Sequence, residues 1–212
     1  MEKASAKAKS SSVFPINGKP LATGIVSAIP ASPFKTWVAA YFWPSQTFDA
    51  QKSSISPNRL GIELVAMSLI PVILAFLTMM VASPSQNVII AFAVLLGIVA
   101  VSFLVAFAIV AGALYIVAKM LGGKGAFFEH AYAIAMILGG AFVLAVPFEL
   151  LRMVPFMGAI AGLAILLLAL YNVYNFSVMM QHVHRISRAK TYVLIVVALL
   201  LAGGLMVAAG TV

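Results

Sequence analysis

Five long apolar runs, separated by short polar segments, dominate the pattern of this chain. They cover about residues 60–82, 88–118, 131–151, 157–180 and 191–212. A helix of roughly 20 residues crosses the hydrocarbon core of a bilayer, and the second run is too short to hold two such helices and a turn. A helix also satisfies its own backbone hydrogen bonds in lipid. The pattern therefore predicts an all-α integral membrane bundle of five transmembrane helices.

The segment before the first run divides into a polar tail and an amphipathic stretch. Residues 1–33 are rich in Lys, Ser, Ala and Pro, which is typical of a disordered basic tail. Residues 34–59 contain a short helix, which Pro44 ends, and a linker. Apolar side chains recur on one face of this helix at Phe34, Trp37, Val38, Tyr41 and Phe42. Such a face is compatible with a helix that lies in the membrane interface and with one that packs on the bundle. We predict that residues 34–43 form an interfacial helix on the cytoplasmic side.

The composition excludes an ordinary soluble domain. Hydrophobic residues make up 64% of the chain and charged residues 8%, whereas soluble domains carry about 25% charged residues. The absence of cysteine excludes disulfides, thiolate zinc sites and cysteine nucleophiles. The formal net charge of +8 indicates, in a membrane protein, an orientation signal and anionic lipid head groups as partners rather than nucleic acid.

The basic residues predict which side of the membrane each connection faces. If the five runs alternate in direction, 12 of the 13 basic residues lie on one side and only Arg152 lies on the other. Basic connections stay in the cytoplasm. We therefore expect a multi-pass protein of the cell membrane with its N-terminus in the cytoplasm and its C-terminus outside.

Three polar segments of the chain have distinctive sequences. They read "PSQTF" at residues 44–48, "LGGKGAFFEHAYAIA" at 121–135 and "VHRISRAK" at 183–190. The second begins as a glycine turn, because glycine adopts backbone angles that other residues resist. From about residue 37 onward the chain resembles the Yip family in these segments. The glycine turn, with the aromatic and acidic residues that follow it, is the most specific match. The matching turn residues are Gly122, Gly123, Gly125 and Phe128.

The resemblance implies an architecture more than an activity. Yip proteins have a polar cytoplasmic N-terminus and five spans, and the eukaryotic members bind prenylated Rab-type GTPases in vesicle traffic. The aspartate-leucine-tyrosine-glycine motif of those members is missing here, so the chain is similar to the prokaryotic relatives. The role of those relatives is largely undefined.

Four residues at the cytoplasmic connections are candidate metal ligands. Glu129 and His130 follow the glycine turn, and His182 and His184 follow the fourth run, so topology places both pairs at one end. Two histidines separated by one residue point apart on a helix, which weakens a joint zinc site. The alternative is that they are interfacial polar groups. We predict no metal and no cofactor.

Polar side chains inside the fourth run allow two interpretations. Asn172 and Asn175 lie about one turn apart. Amides in transmembrane helices usually hold neighbouring helices together by hydrogen bonds. A row of such groups also occurs along the polar path of a small transporter or channel.

The chain contains no H-E-x-x-H, G-x-S-x-G or phosphate-loop motif, so no enzyme is predicted. The main hypothesis is a non-enzymatic membrane protein that organises membrane or recruits a protein partner through its cytoplasmic face, and the alternative is the transporter or channel. The residues predicted to form the lipid or partner face are Trp37, Tyr41, Lys119, Lys124, Arg185, Arg188 and Lys190.

Overall fold

A computed structural model describes residues 32–82 and 87–208, and every regular element in these ranges is helical. The predicted basic tail, most of the connection after the first run and the last four residues lie outside the described ranges. The helices are α1 (Pro33–Phe42), α2 (Pro44–Gln51), α3 (Pro57–Ala82), α4 (Val88–Met120), α5 (Phe127–Arg152), α6 (Gly158–His184) and α7 (Arg188–Ala208), with a 3-10 turn at Lys52–Ser54 after α2.

Several helices extend beyond the apolar runs that predicted them. α3 begins at Pro57 rather than residue 60, α5 at Phe127 rather than residue 131, and α6 ends at His184 rather than residue 180. Hydropathy marks the part of a helix that faces hydrocarbon, whereas capping groups determine where its backbone hydrogen bonds stop. At the start of α5, for example, Glu129 accepts a hydrogen bond from the backbone N–H of Ala126 at 3.2 Å.

The all-α class is confirmed, and four helices of the described ranges, α3 to α6, are long and apolar enough to cross a bilayer. α7 has 21 residues. Its role as a fifth span is not confirmed and is taken up below.

α5 is the central helix of the bundle. It packs against α1, α3, α4 and α6, and its first half is buried continuously from His130 to Ile137. Six of these eight side chains are alanine, isoleucine or methionine, which gives the all-round apolar surface expected of a helix without a lipid face there. The contact with α1 lies further along α5, at Gly139 and Gly140.

α1 packs inside the bundle, which is the second of the two alternatives drawn from its amphipathic face. The ring of Trp37 lies against Gly139, where an added Cβ would stand 2.6 Å from ring carbons. The Tyr41 hydroxyl donates to the Leu168 carbonyl at 2.8 Å, and the Asn175 amide donates to the Tyr41 carbonyl at 2.7 Å. Gly139 is about 18 Å along the axis from the start of α5. The interfacial placement is therefore not confirmed.

The polar connections at one end of the helices meet. We call this the basic end, and it comprises the glycine turn (residues 121–126), the start of α5, the end of α6 and the start of α7. The backbone N–H of Lys124 donates to the His184 carbonyl at 2.9 Å, which joins the glycine turn to α6. The Lys190 ammonium donates to the Leu121 carbonyl at 2.6 Å, which joins the turn to α7.

Candidate functional site

The glycines of the turn allow it to lie directly on the end of α6. Gly122 has a φ of 87°, which side chains resist. A Cβ on Gly123 would stand 2.7 Å from both the Ala118 carbonyl oxygen and His184 Nδ1. A Cβ on Gly125 would stand 2.7 Å from a methyl group of Val183. Close approach therefore explains two of the glycines, and backbone conformation explains the third.

Two histidines meet in the interior beneath this turn. His130 Nδ1 and His184 Nε2 are 2.7 Å apart, and both side chains are fully buried. His130 Nε2 lies 3.1 Å from the Ala111 carbonyl, which only accepts hydrogen bonds. In the neutral pair, His130 therefore donates through Nε2 and accepts through Nδ1 the proton that His184 Nε2 carries. His184 Nδ1 is buried and has no hydrogen-bond partner among the described residues.

The four candidate metal ligands do not share one point. His182 turns away from the pair, and its Nε2 lies 2.8 Å from Asp49 Oδ1. Glu129 forms an ion pair with Lys52 at 3.3 Å. Among the described residues, no group of three or more His, Asp or Glu side chains is arranged to hold a metal ion.

The segment "PSQTF" also contacts the end of α6. It forms the start of α2, where Thr47 and Phe48 are buried. The Phe48 ring makes an edge contact with the His182 ring at 5.9 Å between centroids. All three of the distinctive polar segments therefore converge on the end of α6.

A family model of the Yip1 domain matches residues 38–210. The chain belongs to the Yip1 domain family. Comparisons with curated proteins and with solved structures find no match. Family and helices together make this Yip1 domain protein a multi-pass membrane protein. The assignment to a prokaryotic branch stays a prediction, which rests on the missing eukaryotic motif.

The five basic residues predicted for the lipid or partner face are exposed at the basic end of this Yip1 domain. They are Lys119, Lys124, Arg185, Arg188 and Lys190. Phe128, at the first turn of α5, is also exposed. The two aromatic members of the predicted face are placed differently, since Trp37 is 4% exposed and Tyr41 1% exposed. Both were assigned wrongly to an accessible surface because one face of a short helix can equally pack against protein.

The two asparagines of α6 have different surroundings. Asn175 is buried and holds α1 through the Tyr41 carbonyl. Asn172 borders a cavity of about 230 Å³ whose other walls are hydrocarbon or aromatic side chains of α4, α5, α6 and α7. These positions favour the helix-packing interpretation for Asn175.

Sequence reasoning missed a buried charged cluster beside α5. Glu63 in α3 is 2% exposed and lies 3.8 Å from the Arg59 guanidinium. The Tyr132 hydroxyl donates to Glu63 at 3.4 Å, and the Arg59 guanidinium lies 5.6 Å from the Tyr132 ring centre. The four-residue spacing of Arg59 and Glu63, which places them one turn apart on a helix, was the available signal.

Proposed function

We propose that this Yip1 domain protein is a non-enzymatic membrane protein whose basic end faces the cytoplasm, holds anionic lipid head groups and presents a surface for a protein partner. The observation that supports this proposal most strongly is that the three polar segments converge on the end of α6. Five exposed basic residues lie together there. A rigid base of this kind positions charge for recognition at lower entropic cost than a flexible tail does.

The proposal includes a fifth span. α7 is about 31 Å long, which matches the hydrocarbon core, and beyond its first turn, which carries Arg188 and Lys190, its exposed side chains are aliphatic or aromatic. With five spans and the basic end inside, the opposite end near Arg152 and the end of the chain lie outside. The positive-inside rule supports this orientation.

Orientation can be measured because the chain has no cysteine. Ser187 at the basic end and Met153 at the opposite end are both exposed. We expect a membrane-impermeant maleimide to label Met153→Cys in intact cells, and to label Ser187→Cys only after the cells are lysed. A cysteine that replaces Val212 should behave like Met153→Cys. Labelling of Ser187→Cys in intact cells would contradict the orientation, and protection of the cysteine at residue 212 would contradict the fifth span.

Lipid binding is tested with the double variant Lys124→Gln/Arg188→Gln. Each juxtamembrane cation contributes roughly 1 kcal/mol next to an anionic leaflet, so we expect the loss of two to weaken retention of phosphatidylglycerol roughly 30-fold. Native mass spectrometry of the purified protein measures the bound lipid. Added salt should reduce retention by the parent protein through screening.

The matched control is Arg152→Gln, which removes a cation from the opposite end, where Arg152 pairs with Glu149 at 3.2 Å. This variant should retain as much lipid as the parent. Equal retention by the double variant and the control would leave the basic residues with an orienting role only and would contradict the proposal.

The transporter or channel alternative has less support. A transport path needs polar groups that are free to contact a substrate. The Asn175 amide instead donates to the backbone of α1, and the cavity beside Asn172 is walled by apolar side chains.

A further inference from the structure

A cavity of about 650 Å³ lies at the basic end, between α2 with its following 3-10 turn and the end of α6. This volume falls within the range of small-molecule sites in proteins, roughly 300–1,000 Å³. Its walls combine polar and apolar side chains. They are Phe48, Asp49, Lys52, Gln181, His182, Val183, Arg185 and Ile186.

The charges on these walls favour an anion. Lys52 and Arg185 are the basic residues of the lining, and Asp49 is the only acid among the lining residues. The Asp49 carboxylate is already engaged by His182 at 2.8 Å. Lys52 pairs with Glu129, which is not a lining residue, but its side chain remains 52% exposed. The cavity therefore has cationic groups in excess of its own acid.

Arg185 supplies the cation without a partner. Among the described residues, no carboxylate lies within 4.0 Å of its guanidinium. A guanidinium presents a planar set of donors that matches a phosphate or carboxylate group in two parallel hydrogen bonds. An unpaired guanidinium at the mouth of a polar cavity is thus suited to bind an oxyanion.

The backbone at Arg185 is in an unfavourable conformation for arginine. It has φ 54° and ψ 35°, the left-handed region, at the residue that ends α6. Helices that end this way usually place glycine there, because a side chain adds strain. The position therefore keeps an arginine where glycine would be more stable, and strained residues of this kind cluster at binding and catalytic sites.

From these observations we infer that the cavity binds a phosphate monoester, with Arg185 and Lys52 contacting the phosphate. A monoester carries a charge of about −1.5 to −2 near neutral pH and three strong acceptor oxygens, which two cations and neighbouring donors can satisfy. The accessible lining of the cavity is mainly polar, as a phosphate group requires, and Phe48, Val183 and Ile186 lie buried behind it. The inference deepens the proposed function, on which it rests, by naming the chemistry of one ligand.

The test compares two soluble lipids with the same short acyl chains, dihexanoyl phosphatidic acid and dihexanoyl phosphatidylglycerol. The first is a phosphate monoester and the second is a diester. Binding to the purified full-length protein in neutral detergent is measured by native mass spectrometry. We expect the parent protein to bind the monoester about tenfold or more tightly than the diester. Equal binding of the two lipids would overturn the inference.

Arg185→Gly separates binding from folding. Glycine relieves the backbone strain, so the variant should unfold at the same temperature as the parent or a higher one, and should nevertheless lose the preference for the monoester. Lys52→Gln, which leaves the backbone at residue 185 unchanged, should weaken monoester binding as well. The control Arg152→Gln removes a cation at the opposite end of the bundle, outside the cavity, and should keep the preference. A preserved preference in both Arg185→Gly and Lys52→Gln would refute the site.

Competition with glycerol 3-phosphate distinguishes the source of the phosphate. Displacement of phosphatidic acid assigns the site to the phosphate group alone, which a soluble compound can supply. Retention of the lipid assigns it to a lipid head group held also by its chains. The two proposals can fail separately. If Lys124→Gln/Arg188→Gln retains less phosphatidylglycerol as expected, but Arg185→Gly and Lys52→Gln both keep the monoester preference, the phosphate site is disproved and the proposed function stands.

Discussion

Replacing Gly140 with valine is expected to displace α1 from the bundle and to lower the free energy of unfolding by about 1–3 kcal/mol. A Cβ at this position would stand 2.6 Å from the backbone carbonyl oxygen of Trp37 and 2.8 Å from Tyr41 Cβ. Neither atom lies at the end of a flexible side chain. The contact can therefore be relieved only when the helices move apart.

The thermal unfolding midpoint in detergent measures this effect. For a chain of this size, 1 kcal/mol corresponds to roughly 2–4 °C. Gly162→Val is the matched control, because it makes the same change within a helix where nothing lies within 4 Å of an added Cβ. If Gly140→Val and Gly162→Val lowered the midpoint equally, helix propensity alone would account for the result and the packing of α1 would be wrong.

Replacing His184 with leucine is expected to destabilise the protein by about 1–3 kcal/mol, because His130 Nδ1 is then buried without a hydrogen-bond donor. His130→Leu should have a comparable effect for the reciprocal reason. The double variant removes both partners, so its loss of stability should be smaller than the sum of the single losses. The difference is the coupling energy, which for residues in contact is about 0.5–3 kcal/mol.

Unfolding midpoints of the parent, the two single variants and the double variant complete this cycle. His182→Leu is the control, since this neighbour in sequence is partly exposed and paired with Asp49 at the surface. Exposed pairs contribute about 1 kcal/mol or less. Additive single losses, or an equal loss in His182→Leu, would show that the buried pair contributes nothing specific.

Much of the helical framework could be predicted from hydropathy. The apolar runs located α3 to α6, and Pro44 marked the boundary between α1 and α2. The position of α1 could not be derived in the same way. An apolar helix face is equally compatible with lipid and with protein. The surface on which Trp37 packs includes the glycine pair in α5, about 100 residues later in the chain, which hydropathy does not reveal.

The candidate site was predictable in part. The sequences of the polar segments indicated which residues belong to the candidate site. The two-residue spacing correctly indicated that His182 and His184 point apart. The pairing of His184 with His130 was not visible, because it depends on where the ends of α5 and α6 lie relative to each other. Gly123 was interpreted through its backbone freedom, whereas its main role here is to leave room for His184.

The docking of α1 also sets an order of events during synthesis. Tyr41 is hydrogen-bonded to Leu168 and Asn175, which follow it in the sequence by 127 and 134 residues. At about 5–20 residues per second, the ribosome completes these partners roughly 6–25 s after it has made Tyr41. Until then the docking surface of α1 is incomplete, and the membrane interface is the nearest environment that can shield its aromatic face. The hydrogen bonds that hold Tyr41 in the bundle can therefore form only after most of α6 has been synthesised.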